Sequence, residues 1–176
     1  MRSLLPFVAL LSSLGCSNPP PAAWASGGAH LVLGDARWEI GEDGVSMSKN
    51  GMVSATGTDA FSIDVAGRVY DEDRDPVAVL LPDGVVQGSD DAMLGRVGVT
   101  NASPPNGETA WLQVAPDGTV TFFDEDGERR AGGRWTGCDG PVLRTCTFVT
   151  HLVALARAAR AQRSSVMFGV GVGVYR

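Results

Sequence analysis

At 176 residues with a formal net charge of −6, the chain has the length of one domain and enough residues for a real core. Its acidic balance speaks against nucleic acid, whose phosphates would repel it, and against an anionic bilayer surface as an electrostatic partner. Lys49 is the only lysine, which excludes chemistry that needs a second one.

In chain order the first element is a leader. The stretch MRSLLPFVALLSSLGCSNPPP has one positive charge at Arg2, then an apolar run from Leu4 to Leu14 that is too short to span a bilayer. The run closes on Ser12-Ser13-Leu14-Gly15-Cys16, which resembles the lipobox of bacterial lipoproteins. That resemblance covers only the leader and anchor. It implies a diacylglycerol on the Cys16 thiol, removal of residues 1–15 and acylation of the new amino terminus. Several acyl chains give firm membrane attachment, at about 0.8 kcal/mol per buried methylene. Ser17 stands where an aspartate favours the inner membrane, so the resemblance implies an outer-membrane lipoprotein in the bacterial envelope. Removing residues 1–15 takes Arg2 away and leaves 13 basic against 20 acidic residues, a charge of −7.

Residues 16–29 read as lipid anchor and tether, stiff at Pro19-Pro20-Pro21 and flexible at Gly27-Gly28. Residues 30–176 read as a single β-rich domain. Turn dipeptides punctuate it at Asp43-Gly44, Asn50-Gly51, Asp83-Gly84, Asp117-Gly118 and Asp126-Gly127. Between them lie strand-like runs at 38–40, 61–65, 77–81, 111–114 and 120–123, with alternation clearest in Phe61, Ile63 and Val65. LLPDGVV at 80–86 and VAPDGTV at 114–120 share a turn that enters a valine strand, which suggests reused hairpin chemistry in a meander.

The stripe Val142, Cys146, Val149, Val153 and Ala156 predicts an amphipathic helix packed on the sheet, with Pro141 in its first turn. Thr145, Thr147, Val149 and Thr150 leave a strand open over 141–150. Arg157, Arg160 and Arg163 fall in the last turns, where they suit the negative end of the helix dipole. The alternation of Val166, Phe168, Val170, Val172 and Val174 predicts a terminal strand. The expected fold is therefore mainly β (α+β): an antiparallel meander sheet, sandwich or barrel of hairpins with one helix near the C-terminus.

Three groups of residues invite a chemical reading. Asp71, Asp73 and Asp75, and again Asp124 and Asp126, alternate as calcium ligands do at the start of a binding loop. Pro76 takes the place of the loop glycine and no Glu follows at position twelve, so solvated hairpin turns explain both runs better. Trp111, Phe122, Phe123 and Trp135 offer an aromatic platform for a glycan, with core packing as the plainer reading. Cys138 and Cys146 remain an even pair once Cys16 is acylated, in an oxidising compartment and without C-x-x-C spacing, so they read as a structural disulfide.

No nucleophile elbow, zinc-protease pair or phosphate loop is present, and His30 and His151 are the only histidines. The expectation is a non-enzyme without a cofactor. It is a non-catalytic binding or structural module held at the envelope membrane by its N-terminal lipid, with a protein or glycan as its possible partner. A carrier of a small hydrophobic ligand in a barrel cavity and a carboxylate-dependent hydrolase are the alternatives.

Overall fold

The computed structural model describes residues 19–41 and 43–168, with side chains to 163. Twelve short antiparallel strands follow one another as a meander and close into a barrel. They are β1 (Ala36–Ile40), β2 (Asp43–Met47), β3 (Met52–Ala55), β4 (Phe61–Ile63), β5 (Arg68–Tyr70) and β6 (Pro76–Leu80), then β7 (Val85–Gly88), β8 (Met93–Val97), β9 (Asn101–Ser103), β10 (Leu112–Val114), β11 (Thr119–Phe123) and β12 (Arg129–Thr136). The seam joins β1 to β12 through Arg37 opposite Thr136, Trp38 opposite Trp135 and Glu39 opposite Arg134. Closure removes both sheet edges, which strands this short would otherwise expose.

Each strand alternates inward and outward. In β1, Ala36 and Trp38 are buried while Arg37 and Glu39 face solvent. Val45, Met47, Val53, Ile63, Val69, Val86, Val97, Leu112, Val114 and Val120 continue the inner surface around the barrel. Trp38 and Trp135 stack at 5.7 Å across the seam. Their indole N–H groups are satisfied by the Gly132 carbonyl and the Thr150 hydroxyl.

Alternate turns lie at opposite ends of a meander barrel. At the near end, where β12 finishes, the carbonyl of one turn accepts from the strand that follows the next hairpin. Gly51 accepts from Ile63, Gly67 from Leu80, Gly84 from Val97, Thr100 from Val114 and Gly118 from Trp135. These turns recur every 16 to 18 residues, and the two PDG motifs fall two such steps apart. Gly118 shows why glycine holds such a position: its φ is +86°, and a Cβ there would lie 2.1 Å from the Trp135 carbonyl oxygen. Asp43-Gly44, expected as a turn, opens β2 instead, and the chain turns two residues earlier at Gly41, whose φ is +58°.

The helix α1 (Leu143–Phe168) fills the barrel. A short 3₁₀ turn, Gly140–Val142, carries Pro141 and precedes it. Thr145, Cys146, Thr147, Phe148, Val149, Thr150 and His151 are consecutive and all fully enclosed, so the helix is buried on every side rather than along one stripe. It enters at the near end, where the Thr145 hydroxyl donates to the Val32 carbonyl and the Thr147 hydroxyl to the Val99 carbonyl, each at 2.7 Å. It leaves at the far end, where Arg157 meets Asp43 at 3.5 Å and Arg160 meets Asp59 at 2.8 Å. The expected helix packed on a sheet is thus a helix threaded through a barrel, and the strand alternative over 141–150 is overturned. Gly140–Arg163 is long and apolar enough to cross a membrane by length and composition, yet its first half is barrel core. The helix continues through Val166 and Phe168, which corrects the expected strand at those positions, while Val170, Val172 and Val174 lie outside the described residues.

Cys138 and Cys146 form a disulfide, with Cα atoms 6.0 Å apart, which pins the first turn of α1 to the end of β12. The segment read as a tether lies against the outer wall. Ala22–Trp24 forms a 3₁₀ turn, Trp24 meets Tyr70 edge-on at 4.9 Å, and Arg68 donates to the Trp24 carbonyl. The Ala22 N–H donates to the Asp91 carboxylate at the far end and the Gly28 N–H to the Ala66 carbonyl at the near end. The chain therefore climbs the barrel from far end to near end before β1 begins. Leu31 is buried where the crossing segment closes the near end.

Candidate functional site

With the lumen filled and the near end covered, the far end holds the surface suited to a ligand. A cleft of about 670 Å³ opens there between the β9–β10 connection and the β11–β12 hairpin. Its walls are Pro104, Gly107, Ala110, Trp111 and Phe123, with Glu108, Asp124 and Glu125 at the rim.

Local sequence builds both walls. Pro104-Pro105-Asn106-Gly107 is a turn in which the Gly107 N–H donates to the Pro104 carbonyl and Asn106 takes a φ of +60°. Proline at the second place and asparagine at the third suit that geometry. On the opposite wall, the Gly127 N–H donates to the Asp124 carbonyl and the Asp124 N–H to the Glu128 carbonyl. The Asp124 carboxylate accepts from the Glu128 N–H at 2.8 Å and from Arg130 at 3.2 Å. These bonds, led by the one from Glu128, hold its pKa below the usual carboxylate value.

The Trp111 wall is fixed from inside the barrel. Trp111 is half-buried, and its indole N–H donates to Nδ1 of His151 at 3.1 Å. Because Nδ1 accepts, the imidazole proton sits on Nε2, which donates to the Leu94 carbonyl at 2.8 Å. His151 is completely enclosed, and burial pushes its pKa down to about 4, against a smaller upward pull from the Leu94 bond. The ring fits because residue 95 is glycine: with φ +118°, a Cβ there would lie 2.8 Å from His151 Cε1 and 2.3 Å from the Ser103 carbonyl oxygen.

The aromatic residues singled out in the sequence divide. Trp111 and Phe123 come together in the cleft, whereas Trp135 is core and Phe122 packs against Trp38 with ring centroids 6.2 Å apart. The aspartate runs stay separate. Asp71 accepts from the N–H groups of Asp73 and Asp75 within one hairpin, and Asp124 and Asp126 occupy another. Among the described residues no group of three or more histidine, cysteine or acidic side chains is placed to hold a metal ion. Cys16 lies outside the described residues. The β9–β10 connection was not singled out in the sequence, although the dipeptides Pro104-Pro105 and Asn106-Gly107 mark it as a built loop.

No protein-family model matches this chain, and no curated protein sequence and no solved structure is significantly similar to it.

Proposed function

We propose that this is a lipid-anchored bacterial envelope protein acting as a non-catalytic binding module, with the far-end cleft as its ligand face. The observation that carries the reading is the Trp111–His151 hydrogen bond, by which the barrel core holds an aromatic wall of the cleft in place before any ligand arrives. The barrel suits a binding or carrier module, but α1 takes the volume that a carrier keeps for its cargo. Both ring nitrogens of His151 are engaged in structure, and among the described residues no nucleophilic side chain is bonded to it. That leaves His151 no free nitrogen for acid–base work, and of the cleft carboxylates Asp124 is already held by Arg130 and the Glu128 N–H.

The route of the N-terminal segment fits anchoring at the same end. Cys16 precedes Ala22 by six residues, a reach of at most about 20 Å, and Ala22 is bonded to the far-end Asp91. An acyl chain on Cys16 would therefore keep the cleft near the membrane surface, within the span of a short linker.

Two experiments test this. A Cys16→Ser protein is expected to leave the membrane fraction and lose its acyl label; unchanged fractionation with full label contradicts the anchor. A photo-crosslinking amino acid at Phe123 is expected to give a discrete adduct in cells, absent when the same group is placed at the exposed near-end Val99. Equal labelling from both positions contradicts the cleft as ligand face.

A further inference from the structure

We propose that the cleft takes a basic peptide segment, with an arginine or lysine side chain laid between Trp111 and Phe123 and its charge met by Glu108 and Glu125. This rests on the cleft being the ligand face and adds the chemistry of the ligand.

The charge of the lining points to a cation. The lining contains no basic residue and three carboxylates. Asp124 is already engaged by Arg130 and the Glu128 N–H. Glu108 and Glu125 are exposed, and among the described residues neither has a hydrogen bond or an ion pair. Two uncommitted acids thus border two half-buried aromatic faces. A cation over such a face is attracted by the negative face of the ring, and the flanking carboxylates add a matching charge.

The surroundings point the same way. The acids in the turns of this end, among them Asp71, Asp73, Asp75, Asp90 and Asp91, outnumber its arginines Arg74, Arg129, Arg130, Arg157 and Arg160, so a basic partner is steered towards it. The size of the cleft, about 670 Å³, is in the range of built ligand sites and exceeds a single side chain, which favours a peptide of a few residues. The walls are ordered by the Pro104–Gly107 turn and by the Asp124–Glu128 hairpin, so little ordering cost falls on binding. A sugar could also stack on Trp111 and donate its hydroxyls to the two carboxylates, but only a cation neutralises their charge, and the salt and glutamine responses below separate the two.

The test uses the full chain and a fluorescein-labelled peptide of alternating arginine and alanine. A glutamate-for-arginine peptide and a neutral N-acetylglucosamine tetrasaccharide serve as comparisons. The arginine peptide should bind saturably and the glutamate peptide should not. Affinity should fall about tenfold or more in E108Q/E125Q, whose exposed positions leave the fold intact by circular dichroism, and again between about 50 and about 500 mM salt. Equal affinity for both peptides, or an unchanged affinity in E108Q/E125Q, overturns the proposal. So does tight binding of the tetrasaccharide that is indifferent to E108Q/E125Q and lost in Phe123→Ala. That last result would leave the cleft as ligand face and remove only the cationic assignment, whereas failure of the Phe123 crosslinking removes the ligand face itself.

Discussion

His151 connects the core to the cleft, and its titration is a stability statement. Its folded pKa of about 4 lies below the ordinary value of 6.5, so the unfolded chain binds the proton more readily. The stability that this group supplies is complete above pH 6.5 and is lost progressively as pH falls towards 4, where the loss levels off at about 3 kcal/mol. Urea unfolding across that window should show the decline, and a His151→Gln protein should show a flatter one. If that variant does not fold, the His151 ring resonances in the wild type should still titrate well below pH 6. Gly95→Ala acts on the same group from the other side. Its Cβ would crowd His151 and the Ser103 carbonyl, so we expect a loss of about 1–3 kcal/mol and a change in Trp111 fluorescence, read by denaturant titration. That His151 lies within the helix was legible in the sequence, from the apolar stripe on either side of it. Its partner Trp111 was not, because 40 residues separate the two.

α1 is where sequence and structure differ most. The stripe from Val142 to Ala156 is real, but threonines occupy the intervening positions and appear polar to any periodicity argument. Inside the barrel each has a fixed acceptor: Thr145 at Val32, Thr147 at Val99 and Thr150 at its own Cys146 carbonyl. Short hydroxyls satisfied in this way let a helix be enclosed on all sides, and the signal was the density of threonine in an otherwise apolar run. Thr150→Val removes the acceptor of the Trp135 indole N–H, and a stability loss of about 1–3 kcal/mol should appear in thermal or urea unfolding. The disulfide holds this element at its entry. Replacing Cys138 and Cys146 by serine should cost about 2.5 kcal/mol by the chain-entropy relation for so short a loop, measured against the oxidised wild type. Among the strands, β1, β4, β6, β10 and β11 could be read from the sequence runs. β9, with Asn101-Ala102-Ser103, could not, because its place depends on neighbours at Arg96 and Leu112.

At the scale of the molecule, barrel closure depends on β1 meeting β12 across some hundred residues of chain, and no local pattern encodes that pairing. Hairpins and meander were visible; the number of strands and the filled lumen were not. The cleft was half visible, in Trp111 and Phe123, while its other wall depends on a loop whose turn chemistry is plain only once its position at the far end is known. The binding account stands on the lumen being occupied, because an empty barrel would place the ligand inside. Hydrogen–deuterium exchange of the backbone amides of residues 143–153 tests this most directly. A threaded helix should exchange only with global unfolding, as slowly as the Trp38 and Trp135 strands. Exchange at the rate of a solvent-facing helix, while those strands stay protected, would contradict it.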